Sequence, residues 1–356
     1  MNPKIRVRLK KLFSSFEKIG IDALFVSSWP NVTYLSGFQN TESWIFVSPK
    51  GLYFITDSRY LEQARSQAKG FKVILRDKKS VSEIAAELAR KLRARSVGFE
   101  STQVTHDFYG SLVKAFHGTR LVPTRNLVET LRLVKDSEEI ALIQKSADIA
   151  VKGFHFVKET AMPGMTEREL QGRLEYYTKS IGSEKPAFDI IIAAGARASM
   201  PHCQTGQVPL IDNDAVLVDM GVVYEGYHSD LTRPVFLGKI TAFYKKIYDI
   251  VWQAQRAGIR KAAPGIQCSE VDEACRSFIK KNGYGPNFGH GTGHGVGLEI
   301  HEGPNVSGKS QTILKPGMVI TVEPGIYIPG KLGIRIEDMV LITEKGNKVM
   351  TDGLDE

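Results

Sequence analysis

The sequence predicts an α+β protein in two domains, a small α/β unit followed by a larger mixed one. Three observations predict it. The chain has 356 residues, more than one hydrophobic core ordinarily organises. Short apolar runs alternate with helical spacing over its first third. Beyond residue 132 the pattern changes to long amphipathic helices interleaved with strands, and nearly all the chemically promising polar residues lie there.

In the first domain, 1–132, strand-like runs cover residues 23–26, 44–47, 52–55 and 72–75, and helical spacing covers 81–92 and 106–116. Asn31, Ser36-Gly37 and Pro49-Lys50-Gly51 read as its turns. From Lys4 to Lys11, basic and apolar residues alternate at the spacing of one solvated helix face. The boundary falls near residues 131–140, where Ser137 is placed to cap a long amphipathic helix with Glu139 in its first turn. The second domain, 133–356, adds helices over 166–180, 241–262 and 269–282 and strand-like runs over 189–193, 215–220, 318–322 and 338–342.

Hydrophobic residues make up 42% of the chain and charged residues 24%, the balance of a globular protein, neither disordered nor fibrous. The basic start lacks the apolar stretch of a secretory signal, and no span of about 18 apolar residues occurs, so no membrane partner and a cytoplasmic location are expected. Cys203, Cys268 and Cys275 are odd in number and lack C-x-x-C spacing, which argues against a disulfide framework and a thiolate zinc site. The net charge is +8, but the basic residues are not clustered as a nucleic-acid footprint requires, so no nucleic-acid partner is expected.

Chemistry concentrates in three segments. In 215–233 an apolar strand carries Asp219 near its end, a turn follows around Glu225-Gly226, and the returning strand carries Asp230. A turn centred between Tyr224 and Glu225 sets the two acids opposite each other to within a residue. In 319–338, Glu323 and Glu337 are symmetric about Gly330. Each acid sits in an apolar strand, where an unpaired carboxylate costs several kcal/mol unless a partner or a cation neutralises it. Between the pairs, residues 288–304 hold His290, His294 and His301 among glycines that let the backbone pass close to a neighbour. Four carboxylates with one imidazole suit Mn²⁺, Co²⁺, Fe²⁺ or Zn²⁺, and bridging carboxylates hold two such ions about 3.5–4 Å apart.

At these motifs the sequence resembles the pita-bread metallopeptidases, the family of methionine aminopeptidase, aminopeptidase P and prolidase. The proline-specific branch is the most similar, at Asp219-Met220-Gly221, Gly226 to Arg233, Gly293 to Gly297, Glu323 to Tyr327 and Gly333 to Asp338. Asn31 to Phe38 and Thr56 to Tyr60 resemble its creatinase-type amino-terminal domain. The resemblance implies two divalent cations, Mn²⁺ favoured, held by Asp219, Asp230, His294, Glu323 and Glu337. Asp230 and Glu337 reach both ions, Asp219 completes one set, and His294 with Glu323 completes the other. It implies a bridging water as nucleophile, with Glu323 as general base. His202 and His301 would assist departure of the proline nitrogen, and Arg335 would orient a ligating carboxylate by bidentate hydrogen bonding. A proline-containing peptide substrate and a homodimer are implied as well.

In several prolidases an arginine soon after the His-Glu-x-Pro segment holds the dipeptide carboxylate. Here that place is Asn305, which points to an Xaa-Pro aminopeptidase, with Xaa-Pro dipeptidase as the alternative and a non-enzymatic RNA- or protein-binding homologue as the remaining one. Residues 303–310 match the phosphate-loop pattern G-x-x-x-x-G-K-[ST], yet Pro316-Gly317 stops the helix such a loop needs. Cys203 beside His202 makes a poor catalytic dyad, because neighbours on an extended chain face opposite ways.

Overall fold

The computed structural model describes residues 1–39 and 42–354. The chain divides into two compact units, Met1–Arg132 and Leu133–Glu356.

The first unit is built on a six-stranded sheet in the spatial order Lys72–Leu75, Gly51–Thr56, Ser43–Ser48, Ala23–Val26, Ser96–Glu100, Arg120–Thr124. The uninterrupted apolar run Ala23–Val26 is wholly buried near its middle, as a two-sided central strand should be. Ser96–Glu100 has no apolar signature, because Gly98 breaks it. A Cβ there would lie 2.9 Å from Ile21 Cδ1, so packing demands the glycine. Helix Val81–Leu92 opens with a Ser80/Glu83 capping box. The basic start forms helix Pro3–Phe13, which buries Ile5, Leu9 and Leu12 and leaves Lys10 and Lys11 in solvent.

Asn31 is not a turn residue. It lies buried in helix Trp29–Ser36, where its amide donates to Glu100 at 2.7 Å and Glu129 at 2.8 Å while its oxygen accepts from Arg132 at 2.9 Å. Tertiary partners replace the local backbone bonds that asparagine usually makes in a turn.

In the second unit the long helix Ser137–Thr160 is capped one residue earlier than expected, by Asp136 and not Ser137. The Asp136 carboxylate accepts from the Glu138 and Glu139 amides, and Glu139 reaches back to the Asp136 amide. Four sheets follow among the described residues, including a small one of Lys185–Pro186, Val222–Tyr224 and Tyr227–His228. One joins Ile191–Ala194, Asp214–Met220 and Leu231–Leu237, all antiparallel. A second runs Glu302–Val306, Gly293–Gly295, Val319–Val322, Asp338–Thr343, Gly346–Val349 in space. A ribbon of Gly325–Ile328 with Leu332–Arg335 extends its central hairpin. Helices Ala242–Lys261 and Cys268–Lys281 pack Ile247, Val251, Val271 and Cys275 against Val322, Ile334 and Ile336. Gly258 permits their crossing, since a Cβ there would meet Cys275 Sγ at 2.4 Å. The three cysteines are free and buried. No described helix is long and apolar enough to cross a membrane.

Candidate functional site

The two acid pairs arrive by different routes. Glu225 and Gly226 both have positive φ, 46° and 79°, so the turn is of the twisted hairpin type and is centred between them. That is one residue later than expected, and it moves the pairing by two. Asp219 stands opposite Thr232, not Asp230. An even shift preserves the face on which side chains emerge, so Asp219 and Asp230 still serve one side of the sheet. The second pair keeps the expected symmetry. Gly325 pairs with Arg335 on one side of Glu323 and Val322 with Asp338 on the other, which leaves Glu323 and Glu337 facing each other. A bridge between Thr232 and Glu337, with the Glu337 amide donating to the Thr232 carbonyl at 3.0 Å, brings the two pairs together.

Asp338, next to Glu337, points the other way into the core. There it accepts from Arg233 at 2.8 Å, Gln255 at 2.5 Å and Thr351 at 2.7 Å. This alternation fixes the Glu337 side toward the site.

The glycine-rich segment is held from behind. Asp272 on helix Cys268–Lys281 accepts from the Thr292 amide and hydroxyl at 3.0 and 2.9 Å, and Arg276 donates to the Phe288 and His290 carbonyls at 3.0 and 2.7 Å. A Cβ on Gly293 would fall 2.1 Å from the Thr321 carbonyl oxygen, and one on Gly295 would fall 1.9 Å from that of Gly303. Only glycine lets His294 enter between those strands. The His294 amide donates to Thr321 Oγ1 at 3.0 Å, and Nδ1 lies 3.0 Å from the Gly295 carbonyl, which assigns its proton there and frees Nε2.

Nε2 stands 3.5 Å from Asp230 Oδ2 and 3.4 Å from Glu323 Oε1. Asp230, His294 and Glu337 each offer a ligand atom within 4.8 Å of the others. Burial, reinforced by Glu337, Asp219 and Glu323, holds the Asp230 carboxyl well above the usual carboxylate range. Burial and the charges of Glu323 and Asp219 do the same for Glu337. Burial pushes Glu323 up to about 7, against the pull of Arg335, and pushes His294 down to about 4. Glu337 Oε1 is buried with no hydrogen-bond partner. Crowded, desolvated acids with an orphaned oxygen are a donor set in need of cations, and its hardness suits divalent ones.

Arg335 lies beneath this set. One arm of its fork bonds Asp219 Oδ2, the other donates to Tyr327 Oη at 2.9 Å and the Pro201 carbonyl at 3.4 Å, and Nε donates to Thr232 Oγ1 at 3.0 Å. The fork is therefore shared among four acceptors, and the expected bidentate grip on one carboxylate is not made. Thr232 in turn donates to Glu337 Oε2 at 2.6 Å.

A cleft of about 660 Å³ opens over these groups. Its walls include His202, His301 and Asn305 together with Asp219, Asp230, His294, Glu323, Arg335 and Glu337. His301 and His294 have ring centroids 4.4 Å apart. His290, Tyr327, Thr232 and Thr321 belong to the sequence motifs, yet nothing in the sequence gives them a role. His290 Nε2 accepts from Tyr327 Oη at 3.0 Å, and burial pushes its pKa down to about 4. Thr321 donates to Glu323 at 3.1 Å. Only the tertiary contacts distinguish these from ordinary strand residues. The glycine-lysine run at 303–310 begins in strand Glu302–Val306 with no helix behind it, so it is not a phosphate loop. Cys203 is buried, and burial raises its thiol pKa.

Comparison with known proteins gives two family matches, to "Metallopeptidase family M24" over residues 141–344 and to the "Creatinase/Prolidase N-terminal domain" over residues 8–134. The chain is 36% identical to an Xaa-Pro dipeptidase of Pyrococcus horikoshii, over 99% of its own length and 97% of the relative's. Among solved structures it is similar to an Xaa-Pro dipeptidase from Bacillus anthracis, with TM-score 0.96, 37% identity and 99% of each chain covered. It is also similar to an X-Pro aminopeptidase from Thermotoga maritima, with TM-score 0.89, 34% identity and coverage of 95% and 97%.

Proposed function

Because the chain belongs to metallopeptidase family M24, we propose that it hydrolyses Xaa-Pro peptide bonds, using two divalent cations held by Asp219, Asp230, His294, Glu323 and Glu337. It carries a creatinase-type amino-terminal domain and a pita-bread domain, and it is a metal-dependent hydrolase. The observation that carries the proposal is the convergence of Asp230, His294 Nε2 and the orphaned Glu337 oxygen in one cleft. Mn²⁺ is favoured over Co²⁺, Zn²⁺ and Fe²⁺ because four of the five donors are carboxylates.

Cations held there supply Lewis-acid polarisation of the scissile carbonyl and an activated water nucleophile. The remaining work falls to the chain. Glu323 accepts a proton from the nucleophile and returns it to the leaving nitrogen, with Thr321 fixing one of its oxygens. The proline nitrogen has no N–H to recognise, so the ring must be fitted and the nitrogen protonated as it departs. His202 and His301 line the cleft wall, and in this reading they assist that departure. Arg335 holds Asp219 and, through Thr232, Glu337.

Among the described residues lining the cleft, Arg335 is the sole arginine or lysine, and its donors are engaged. A dipeptide carboxylate beside Asn305 finds no cation there, which supports an Xaa-Pro aminopeptidase acting on longer peptides. The names of the P. horikoshii and B. anthracis proteins favour a second reading, Xaa-Pro dipeptidase. Hydrolysis of Xaa-Pro-Yaa and Xaa-Pro by the Mn²⁺-reconstituted enzyme decides between them. The aminopeptidase reading requires a higher kcat/KM on the tripeptide and a shift toward the dipeptide in Asn305→Arg. Tripeptides that are neither cut nor competitive would make it a dipeptidase. A metal-loaded protein that cuts neither would end the Xaa-Pro reading.

A further inference from the structure

The wall of the cleft beside Asp219 contains an irregularity. Strand Ile191–Ala194 sets Ile191 opposite Asp219. Just before it, Lys185 pairs with Val223 and Pro186 with Val222, and the Ala187 amide donates to the Gly221 carbonyl at 3.0 Å. Between Ala187 and Ile191 the chain therefore carries Phe188, Asp189 and Ile190 where its partner carries only Met220. Such a bulge re-aims side chains. Phe188 and Asp189 emerge on the cleft wall with Ile191, while Ile190 stays buried. The Ile190 carbonyl accepts from Gln171 Nε2 and from the buried Thr205 Oγ1, both at 3.0 Å, so the bulge is fixed in place.

Asp189 is exposed to the cleft and, among the described residues, has no hydrogen-bond or ion-pair partner. It also stands outside the group of ligand atoms formed by Asp230, His294 and Glu337. The cleft thus presents an unpaired carboxylate between two apolar side chains, which is a receptor for a cation on an aliphatic stem.

Its place in the cleft says which cation. His301 meets His294 edge to face, and Asn305 stands next to Val306, which pairs with Gly293. These residues mark the end that takes proline in the proposed reaction. Ile191 is the cross-strand neighbour of Asp219 and marks the opposite end. The substrate's α-ammonium is joined to the scissile carbonyl through Cα alone, so it must lie among the metal ligands. Asp189 lies two residues before Ile191 in the bulge, at most roughly 7 Å of chain away, a reach suited to a long basic side chain.

Resting on the Xaa-Pro reading above, we propose that Asp189, flanked by Phe188 and Ile191, forms the subsite for the Xaa side chain and selects lysine or arginine there. The test compares Lys-Pro-Ala, Met-Pro-Ala and Glu-Pro-Ala with the Mn²⁺ enzyme. A charge-assisted hydrogen bond in a partly solvated cleft predicts about ten-fold higher kcat/KM for lysine than for methionine, expressed mainly in KM. Asp189→Asn should bring that ratio to about one, and Asp189→Lys should turn the preference toward Glu-Pro-Ala. A lysine-to-methionine ratio that is the same in wild type and Asp189→Asn overturns the inference and leaves the Xaa-Pro reading intact. An equal loss on all three peptides together with lost metal also overturns it, by making Asp189 part of the metal machinery. A metal-loaded wild-type enzyme that cuts none of the three overturns the Xaa-Pro reading and this inference with it.

Discussion

Replacing Arg335 with methionine isolates what the shared guanidinium contributes. Its side chain is 5% exposed and that of Asp219 12%, so the variant leaves an uncompensated carboxylate in a poorly solvated place. Breaking a buried pair from one side costs about 3–5 kcal/mol, and the residual exposure of Asp219 argues for the low end, about 3 kcal/mol. Tyr327 and Thr232 each lose a donor as well. At roughly 2–4 °C per kcal/mol for a domain of this size, the metal-free variant should melt about 6–12 °C below metal-free wild type. With Mn²⁺ present the gap should narrow, because a bound cation offsets the Asp219 charge. Arg335→Lys should fall between, since an ammonium keeps the charge but cannot span the same acceptors. Calorimetry in EDTA and in Mn²⁺ measures both gaps, and metal analysis should show about 10–100-fold weaker binding in the methionine variant. Equal melting of wild type and Arg335→Met in EDTA, with unchanged metal affinity, would refute the reasoning.

In the chelated protein, burial and mutual repulsion keep Asp230 and Glu337 well above the carboxylate range and Glu323 at about 7. The stability tied to the Glu323 proton is fully present below about 4.5 and is lost as pH rises to about 7, and the raised Asp230 and Glu337 carry the fall further upward. The melting temperature in EDTA should therefore fall between pH 6.5 and 8, a window above the about 4 at which folded His290 and His294 titrate; a flat profile there would contradict the crowding of acids. His301→Ala should lower kcat/KM by at least about 10²-fold with metal retained, and near-normal turnover would remove His301 from catalysis. Gly295→Ala should fail to accumulate as folded, metal-binding protein, because its Cβ would sit 1.9 Å from the Gly303 carbonyl oxygen; a soluble variant with wild-type metal content would show that the strands can separate there.

How much of this was readable in sequence depends on whether the information is local. Strand Ala23–Val26 and helix Val81–Leu92 fall where their patterns place them, because apolar period and capping act within one element. Strand Ser96–Glu100 is invisible, since its Gly98 answers to Ile21, a residue far away in the chain. Asn31 misleads for the same reason, as its partners Glu100, Glu129 and Arg132 are distant.

The two acid pairs carry the argument further. Glu323 and Glu337 could be placed opposite each other because a symmetric hairpin needs only its hinge, and Gly330, with φ of 68°, announces that hinge. Asp219 and Asp230 could not be registered, because the hinge there begins at Glu225, a residue type that rarely takes positive φ. The error was two positions, and two positions return every side chain to its own face. A one-residue error would have sent an acid into the core beside Val218. The face on which a strand side chain emerges is therefore a sturdier inference from sequence than its cross-strand partner. Asp189 lies beyond both kinds of inference. The bulge that aims it arises where two ladders of different register meet, and neither ladder alone contains that fact.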